Sequence, residues 1–552
     1  MQLGKNILAV TNSWRILLHG SLFLLLGLLL SCSQKKGSED GFFRYNETSG
    51  ISSLDPAFAK NQSNIWAVHQ LYNTLVETDS TMQLQPSLAR SWTISTDGRR
   101  IQFLLRNDVY FHDHPAFVSG IGRKLVAADI VYSFSRLISP ATASPGAWIF
   151  NNRVATDSPF VALSDSVFEL RLLRPFVQIL GVLSNAYCSV VPREVVEQYG
   201  SAFRSNPCGT GPFRFFQWEE GQVLLLRRNP NYFETDAAGK RLPYLKGVKV
   251  SFLDSKAAEF LEFRQKRLEF INDIDPSFKD EILTRGGTLR KAWQGKLVLN
   301  KHPYLNIEYL GILADTSNPL LQNSPLRFRQ VRQAINYGFD RRKMMLYLRN
   351  SIGTAAESGF VPAGLPGFDS NAVTGYAYNP DRARWLLQQA GFSSKRPVPE
   401  IPLLTIPIYA DLAAYIAREL EEIGIRIRVE VIPKSLLLTQ TARNQALFFR
   451  GSWIADYPDA ENYLSVFYSR NPSPPNYTRY HNKVFDALYE QSTREVNDRI
   501  RYRLYQRMDQ MVIADAVVVP LWYDMVIHLV QPYVQQFKPN ALNVLELRRV
   551  QL

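Results

Sequence analysis

The stretch WIADY at 453–457 places a carboxylate between two aromatic rings. In a closing, water-poor cleft, the Asp456 carboxylate would form a strong charge-assisted hydrogen bond with an ammonium group. Trp453 and Tyr457 could wall such a site and offer their ring faces to the cation. Alternatively, Asp456 caps a local turn before Pro458. The residue types alone leave both interpretations open.

Other candidate reactive groups lack the partners that catalysis or metal binding requires. His112 and His114 could share a strand face and bind a metal, but two ligands are too few, so the pattern favours a turn. Cys208 precedes Gly-Thr-Gly, yet no P-loop Gly-Lys-Ser/Thr and no partnered histidine accompanies it. The sequence also contains neither HExxH nor GxSxG, which argues against a periplasmic hydrolase. We therefore expect no catalytic residue, no metal and no cofactor.

The chain has three cysteines, Cys32, Cys188 and Cys208, with no CxxC pair and no zinc-type spacing. Cys188 and Cys208 could form a disulfide in an oxidising compartment. Closing a loop of that size stabilises a fold by roughly 3 kcal/mol in the chain-entropy model. The alternative is a pair of buried free thiols. We favour the disulfide, because both cysteines lie in one short stretch of a chain that carries an export signal.

The amino terminus has the pattern of a secretory signal. Lys5 and Arg15 precede the apolar run SLFLLLGLLL at 21–30, which is too short to span a bilayer comfortably. The run ends at Cys32 in a segment that resembles the bacterial lipobox, although Leu30 is bulkier than the usual small residue. A cleaved signal with an incidental cysteine and an uncleaved anchor are the alternatives. We expect a signal peptide at 1–31, a tether at 32–40, and a lipid-anchored chain in the cell envelope, facing the periplasm or the exterior.

Size and charge limit the remaining classes. A chain of 552 residues needs two or three domains, and 46% hydrophobic with 20% charged residues is a globular composition. The formal net charge is +13, but the basic residues are spread along the chain rather than concentrated in a stripe. This distribution excludes a recognisable nucleic-acid-binding module and fits an anionic surface nearby or simple solubility.

Alternating helices and strands predict an α/β fold. Apolar periodicity, an Asn379 N-cap with Pro380 in the first turn, and Gly stops at Gly391 and Gly424 mark the helix ends. A strand, a helix and a second strand at 403–431 form a β-α-β unit, which implies a right-handed crossover. The predicted strands are 99–105, 222–228, 403–409 and 425–431, and the predicted helices are 126–137, 331–348, 381–390 and 412–423.

Five segments in order carry a resemblance to a known family. SLARSWTISTDGRRIQFLLRNDVYFHD at 87–113, followed by AADIVYSFSRL, resembles the signature of the family 5 extracellular solute-binding proteins. These are the oligopeptide, dipeptide and nickel receptors of ABC importers. The other similar segments are NPCGTGPFRFFQWEEGQVLLLRRNPNYF at 206–233, PLRFRQVRQAINYGFDRRKM at 325–344, GYAYNPDRARWLLQQAG at 375–391 and WIADYPDAENYL at 453–464.

The resemblance implies a periplasmic-binding-protein-like, two-lobed clamp of type II, cluster C, with an extra α/β domain. Lobe one would be discontinuous, because this family builds it from the beginning, middle and end of the mature chain. We expect lobe one at 41–85, 205–305 and 520–552, the extra domain at 86–204, and lobe two at 306–519. Cys188 and Cys208 would then straddle the return from the extra domain into lobe one.

The resemblance also implies where a ligand binds. In the peptide receptors the aspartate of the WxADY-type stretch pairs with the ligand's α-ammonium group, which corresponds to Asp456 here. The family lends backbone groups to the ligand as an added strand at the position of Asn61, Gln62, Ser63 and Asn64. Arg443 and Arg450 are candidates for binding the ligand carboxylate, and the sequence does not rank them.

The sequence therefore predicts a monomeric, lipid-anchored receptor that binds oligopeptides by lobe closure and delivers them to the permease subunits of an ABC transporter. One alternative is the same fold binding a non-peptide solute, such as a nickel chelate, a glycan or an opine. Another is a sensor. A nucleic-acid partner is not expected.

Overall fold

The computed structural model describes residues 41–552, so Cys32 and the predicted signal peptide and tether lie outside the described residues. The β-strands are β1 Phe42–Asn46, β2 Val76–Thr78, β3 Leu84–Pro86, β4 Ala89–Ile94, β5 Arg100–Leu105, β6 Phe160–Ser164, β7 Val167–Arg171, β8 Phe213–Glu219, β9 Val223–Arg228, β10 Gly247–Ser251, β11 Phe270–Asn272, β12 Val298–Ile312, β13 Thr354–Ala355, β14 Ile401–Thr405, β15 Ile427–Val431, β16 Phe448–Ile454 and β17 Val518–Val530.

The α-helices alternate with these strands. They are α1 Gln62–Leu71, α2 Ala127–Ile138, α3 Ile179–Val182, α4 Arg193–Tyr199, α5 Lys256–Arg264, α6 Pro276–Ile282, α7 Pro319–Gln322, α8 Arg329–Tyr337, α9 Arg341–Leu348, α10 Pro380–Gln389, α11 Ala410–Glu421, α12 Lys434–Ala442, α13 Glu461–Leu464, α14 Lys483–Ser492 and α15 Asp498–Asp515. Across residues 41–552, none of the helices has the length and apolar character that a membrane span needs.

The antiparallel pair β12–β17 joins the two halves of one large sheet. The strand order is β15-β14-β16-β12-β17-β11-β1-β10-β9-β8, and β13 pairs with β17. β12 has 15 residues and therefore extends roughly 50 Å. One end of β17 pairs with β11, and the opposite end of β12 pairs with β16. The ladder is irregular between Pro303 and Ile307, where the chain passes from one half to the other.

Side chains of β12 alternate between two apolar cores in the second half of the sheet. Ile307 and Tyr309 belong to one core, whereas Leu310 and Ile312 belong to the other. Successive strand residues point to opposite faces, so helices cover this part of the sheet on both sides. A third core joins the other half of the large sheet, β11-β1-β10-β9-β8, to the separate antiparallel sheet β4-β5-β7-β6. There Phe134 of α2 packs on Phe168 of β7 with the ring centroids 5.6 Å apart.

The structure confirms the β-α-β unit and corrects two element boundaries. β14 and β15 pair in parallel and α11 lies between them in the chain. The strand predicted at 403–409 ends early, because a 3-10 turn begins at Pro407. The helix predicted at 331–348 is two helices, α8 and α9. Asp340 interrupts it, because its carboxylate accepts a hydrogen bond from the Lys343 N–H at 3.0 Å and caps α9.

The cysteines are not bonded to each other, which corrects the predicted disulfide. Cys188 and Cys208 are both free and buried. Their thiols face different carbonyl groups, at 4.0 Å from Val182 O and 3.4 Å from His112 O, respectively. Burial raises the pKa of both thiols, so they are protonated packing groups.

His112, which follows β5 in the chain, is linked by hydrogen bonds to the Gly-Thr-Gly loop at 209–211. Its buried ring donates from Nε2 to the Gly211 carbonyl at 2.9 Å and accepts at Nδ1 from the Gly209 N–H at 3.4 Å. Both ring nitrogens are therefore satisfied only when the imidazole is neutral. Burial lowers the His112 pKa to about 4. The His114 ring instead packs edge-on against Tyr199.

Protonation of His112 should destabilise the fold. Because the folded-state pKa is below that of the unfolded chain, stability is lost as the pH falls from about 6.5 to about 4, by up to about 3 kcal/mol. We predict that urea unfolding of the His112→Gln variant shows a smaller loss over this range than the wild type. The exposed His481→Gln variant is the control and should behave as the wild type. Parallel pH profiles for all three proteins would contradict this prediction.

Candidate functional site

The amide of Asn462 organises the loop that carries Asp456. Its Oδ1 accepts hydrogen bonds from Trp453 Nε1 at 2.9 Å and from the Asp456 N–H at 3.3 Å. Its Nδ2 donates to Asp456 Oδ2 at 3.3 Å. Asn462 is buried at the start of α13, directly after the loop. One side chain therefore fixes both Trp453 at the end of β16 and the carboxylate of Asp456.

The Asp456 carboxylate is accessible and has no ion-pair partner within residues 41–552. Asp456 is exposed to solvent, and the hydrogen bond to Asn462 is its side-chain contact. Surrounding protein nevertheless desolvates it and raises its pKa, against the opposing effects of Asn462 and Arg153. The carboxylate does not cap the turn before Pro458. An open, partly desolvated carboxylate suits capture of a cation.

Tyr457 supports the loop and is closed to a ligand, which corrects its predicted role as a wall. Its side chain is buried, and its hydroxyl donates to Glu461 Oε2. The Tyr489 hydroxyl donates to the other carboxylate oxygen of Glu461. On the outer side the Tyr457 ring stacks on Trp148, with the centroids 6.4 Å apart. Burial raises the pKa of Glu461. The hydrogen bonds from Tyr457 and Tyr489 to this buried carboxyl group support the Asp456 loop.

The segment predicted as the extra domain faces Asp456. Asn185 donates from Nδ2 to the Asp456 carbonyl at 3.1 Å. The pKa of Tyr187 is raised to about 12 by burial and by the charge of Asp456. Arg153 is held by the Trp148 carbonyl at 2.9 Å and lowers the pKa of Asp456. Asp456 thus lies at a boundary between two parts of the chain that are far apart in sequence.

The stretch Asn61, Gln62, Ser63 and Asn64 begins α1, which corrects the predicted added strand. Asn61 caps the helix by accepting a hydrogen bond from the Asn64 N–H at 3.1 Å. The Asn61 carbonyl is bound by the Ile65 N–H. Helical backbone in this stretch cannot present the alternating groups that pair with a strand. Ser63 and Asn64 are buried, and Gln62 accepts from Asn272 Nδ2 at 3.2 Å.

A second cluster lies where β12, β16 and β17 meet. Arg450 Nη2 binds Glu308 Oε2 at 2.5 Å, and Asn306 Nδ2 reaches both Glu308 Oε1 at 3.3 Å and Asp524 Oδ2 at 3.1 Å. Asp524 Oδ1 lies 3.6 Å from Arg349 Nη2. We call this closed circuit of contacts the polar ring, and its members are Asn306, Glu308, Arg349, Tyr409, Arg450, Trp522 and Asp524.

Aromatic contacts complete the polar ring. The Arg349 guanidinium lies 4.9 Å from the centroid of Trp522, and the Arg450 guanidinium lies 4.0 Å from that of Tyr409. The two rings stack on each other 6.2 Å apart. Burial raises the Glu308 pKa and Arg450 opposes that shift. Two guanidinium and two carboxylate groups thus form a compact, charge-balanced surface.

The polar ring separates the two arginines that the sequence proposed for the ligand carboxylate. Arg450 is inside the ring and already paired. Arg443 is exposed at the end of α12 and forms no ion pair within residues 41–552. Sequence reasoning missed Glu308, although one signal was present. In the strand segment NIEYLGI, the polar residues Asn306 and Glu308 interrupt an otherwise apolar run.

A two-lobed α/β fold with charged side chains where its parts meet is typical of solute-binding proteins. The sequence matches the model of the bacterial extracellular solute-binding proteins, family 5 Middle, over residues 83–474. The chain therefore belongs to this family, and the α/β two-lobed fold predicted from the resemblance is confirmed.

Individual relatives extend over nearly the whole chain. The probable deoxycholate-binding periplasmic protein YgiS of Escherichia coli (strain K12) is 25% identical over 90% of this chain and 90% of its own length. The periplasmic oligopeptide-binding protein OppA of Salmonella typhimurium (strain LT2) is 25% identical over 89% of this chain and 88% of its own. The unliganded open form of the periplasmic murein tripeptide binding protein MppA superimposes with a TM-score of 0.80, at 20% identity, over 93% of this chain and 98% of its own.

Replacement of Asn462 should loosen the Asp456 loop. In Asn462→Ala, the Trp453 indole N–H and the Asp456 N–H lose their acceptor, and we expect a loss of about 1–3 kcal/mol in the free energy of unfolding. Urea unfolding measures this loss. Asn371→Ala, at an exposed position, is the control and should change stability by less than about 0.5 kcal/mol. Equal stability of the two variants would show that Asn462 does not organise the loop.

Proposed function

We propose that this chain is the lipid-anchored, extracytoplasmic receptor of an ABC importer and that it binds oligopeptide-like solutes. The observation that carries the proposal is the accessible Asp456 carboxylate, which has no ion-pair partner within residues 41–552 and is held by Asn462. It lies in the loop after β16, where Asn185 of the segment at 86–204 contacts its carbonyl group. A ligand ammonium group bound there would be shielded from water, which strengthens its pairing with a carboxylate.

The domain division that we propose is the one expected from the sequence. Lobe one comprises 41–85, 205–305 and 520–552, the extra domain 86–204, and lobe two 306–519. Two features support this division: the sheet β4-β5-β7-β6 falls wholly within 86–204, and β12 and β17 pass between the two halves of the large sheet. A crossing by two strands would serve as a hinge for closure around the ligand.

A non-peptide solute is the second candidate. The relative YgiS is named for deoxycholate, which lacks an amino group, so the family fold accommodates more than one ligand class. An ammonium partner for Asp456 distinguishes the two candidates, because a peptide with a free amino terminus supplies one. Binding alone is proposed for this chain, as a monomer, with no catalytic step.

Binding of peptides should depend on their free amino terminus. We predict that a mixed-sequence pool of short peptides binds the wild type in isothermal titration, that N-acetylation of the pool abolishes binding, and that Asp456→Asn weakens it at least about 100-fold. Loss of a paired, desolvated charge costs about 3 kcal/mol or more. The control is Asp381→Asn on the exposed surface of α10, which should bind as the wild type. Equal binding of the free and acetylated pools would refute the peptide assignment.

Cys32 should carry the membrane anchor. The segment before it has the basic start and short apolar run of an export signal, and several acyl chains on one residue give durable attachment. We predict that cells incorporate radiolabelled palmitate into the wild-type chain, whereas Cys32→Ala is unlabelled and released from the membrane fraction. Cys188→Ala is the control and should keep the label. Membrane attachment of Cys32→Ala without label would indicate an uncleaved anchor instead.

A further inference from the structure

We propose that Glu308 withholds Arg450 from the ligand, so that the solute presents an uncharged group, rather than a free carboxylate, to the polar ring. The proposal extends the proposed function and rests on it. The proposed function pairs the ammonium end of the ligand with Asp456, and the present proposal concerns the opposite end of the ligand. It assigns the polar ring, where β12, β16 and β17 meet, to one wall of the proposed ligand cleft, and it makes Glu308 a determinant of specificity.

Glu308 is fixed in place by three donors. Arg450 Nη2 binds one of its carboxylate oxygens at 2.5 Å. The other oxygen accepts from the Tyr409 hydroxyl at 3.2 Å and from Asn306 Nδ2 at 3.3 Å. The side chain of Glu308 is 4% exposed and that of Arg450 is 11% exposed. A ligand carboxylate would have to displace a buried carboxylate that already accepts three hydrogen bonds.

The second arginine of the ring is balanced in the same way. Arg349 faces Asp524 at 3.6 Å, and Asp524 also accepts from Asn306 Nδ2 at 3.1 Å. Burial lowers the pKa of Lys279 of α6, and the charges of Asp273 and Asp524 oppose that shift. Each of the two arginines of the polar ring is therefore matched by a carboxylate of the ring. A third carboxylate placed beside Glu308 and Asp524 would meet like charges in a partly desolvated space.

The polar ring contains four side-chain atoms that have no hydrogen-bond partner in the described part of the chain. Arg349 Nε, Arg450 Nε and Trp522 Nε1 are buried donors without a partner within residues 41–552, and Asn306 Oδ1 is a buried acceptor in the same condition. Four such atoms in one contact circuit exceed what a packed interior usually tolerates. A neutral amide or hydroxyl group can both accept and donate, so it would satisfy this set without adding charge once lobe closure or a side-chain movement opens these buried atoms to it.

The ring is also bordered by apolar surface. Ile408, beside Tyr409, is 81% exposed, and the half-buried Tyr409 ring stacks on the buried Trp522. Five residues lie between Arg450 and Asp456, so their Cα atoms are at most about 22 Å apart. A solute that pairs its ammonium with Asp456 can therefore reach the ring with a neutral, partly apolar portion. An amide-capped peptide, or the interior of a longer peptide, has this chemistry.

A carboxylate probe tests the withholding of Arg450 without any peptide. The melting temperature is measured in sodium acetate and in sodium chloride of equal ionic strength at pH 7.5, for the wild type, Glu308→Gln, Arg450→Gln and the double variant E308Q/R450Q. We expect acetate to raise the melting temperature of Glu308→Gln alone, by about 2 °C or more relative to chloride. Glu357→Gln is the matched control, because it frees Arg342 on another surface and should show no such shift.

Two results overturn the proposal in this experiment. The first is a wild type that acetate stabilises as much as Glu308→Gln, with the effect lost in Arg450→Gln, because Arg450 would then already be open to carboxylates. The second is a folded Glu308→Gln variant without an acetate-specific shift. If Glu308→Gln fails to fold, the comparison of wild type with Arg450→Gln decides alone, since an equal absence of acetate stabilisation in both supports the proposal.

Peptide pools with free or amidated carboxyl termini test the consequence for specificity. We expect the wild type to bind the amidated pool at least as tightly as the free-acid pool, and Glu308→Gln to favour the free-acid pool about tenfold more than the wild type does. A wild type that loses tenfold or more in affinity on amidation would overturn the proposal. If neither pool binds, the proposed peptide function fails, while the acetate experiment still decides the state of Arg450.

Discussion

The pairing of β12 with β17 is the constraint on which the rest of the structure depends. These two strands connect the halves of the large sheet, and every other strand of that sheet is ordered outward from them. Because their side chains alternate between opposite faces, the same pair anchors two apolar cores and still presents polar residues at the crossing. The irregular ladder after Pro303 marks the place where regular pairing gives way to the polar ring.

Asp456 and Arg450, the two charged groups that we propose face the ligand, have opposite surroundings. Asp456 is an open carboxylate positioned by a neutral amide, whereas Arg450 is a cation already neutralised by a carboxylate. The first arrangement leaves binding energy available to a ligand, and the second removes it in advance. Buried pairs of tyrosine hydroxyls with Glu461 support the first surface, and stacked aromatic rings support the second.

Family membership explains the shared architecture and leaves the ligand to local differences. Relatives that are 25% identical over about nine-tenths of this chain are named for ligands as different as deoxycholate and oligopeptides. A common two-lobed frame thus tolerates changes in the residues that face the cleft. In this chain Glu308 and Asp524, which come from strands far apart in sequence, supply the negative charges of the polar ring.

The sequence by itself determined the α/β class, the β-α-β unit around α11, the Asn379 cap and the family, because these depend on local periodicity, capping residues and ordered motifs. It also singled out Asp456. Only the tertiary structure decided that Cys188 and Cys208 stay apart, that Tyr457 is buried against Trp148, and that 61–64 begins a helix. It alone assembled the polar ring, because strand pairing brings Glu308 and Arg450 together across 142 residues of sequence. Such contacts depend on register and burial, which no local pattern encodes.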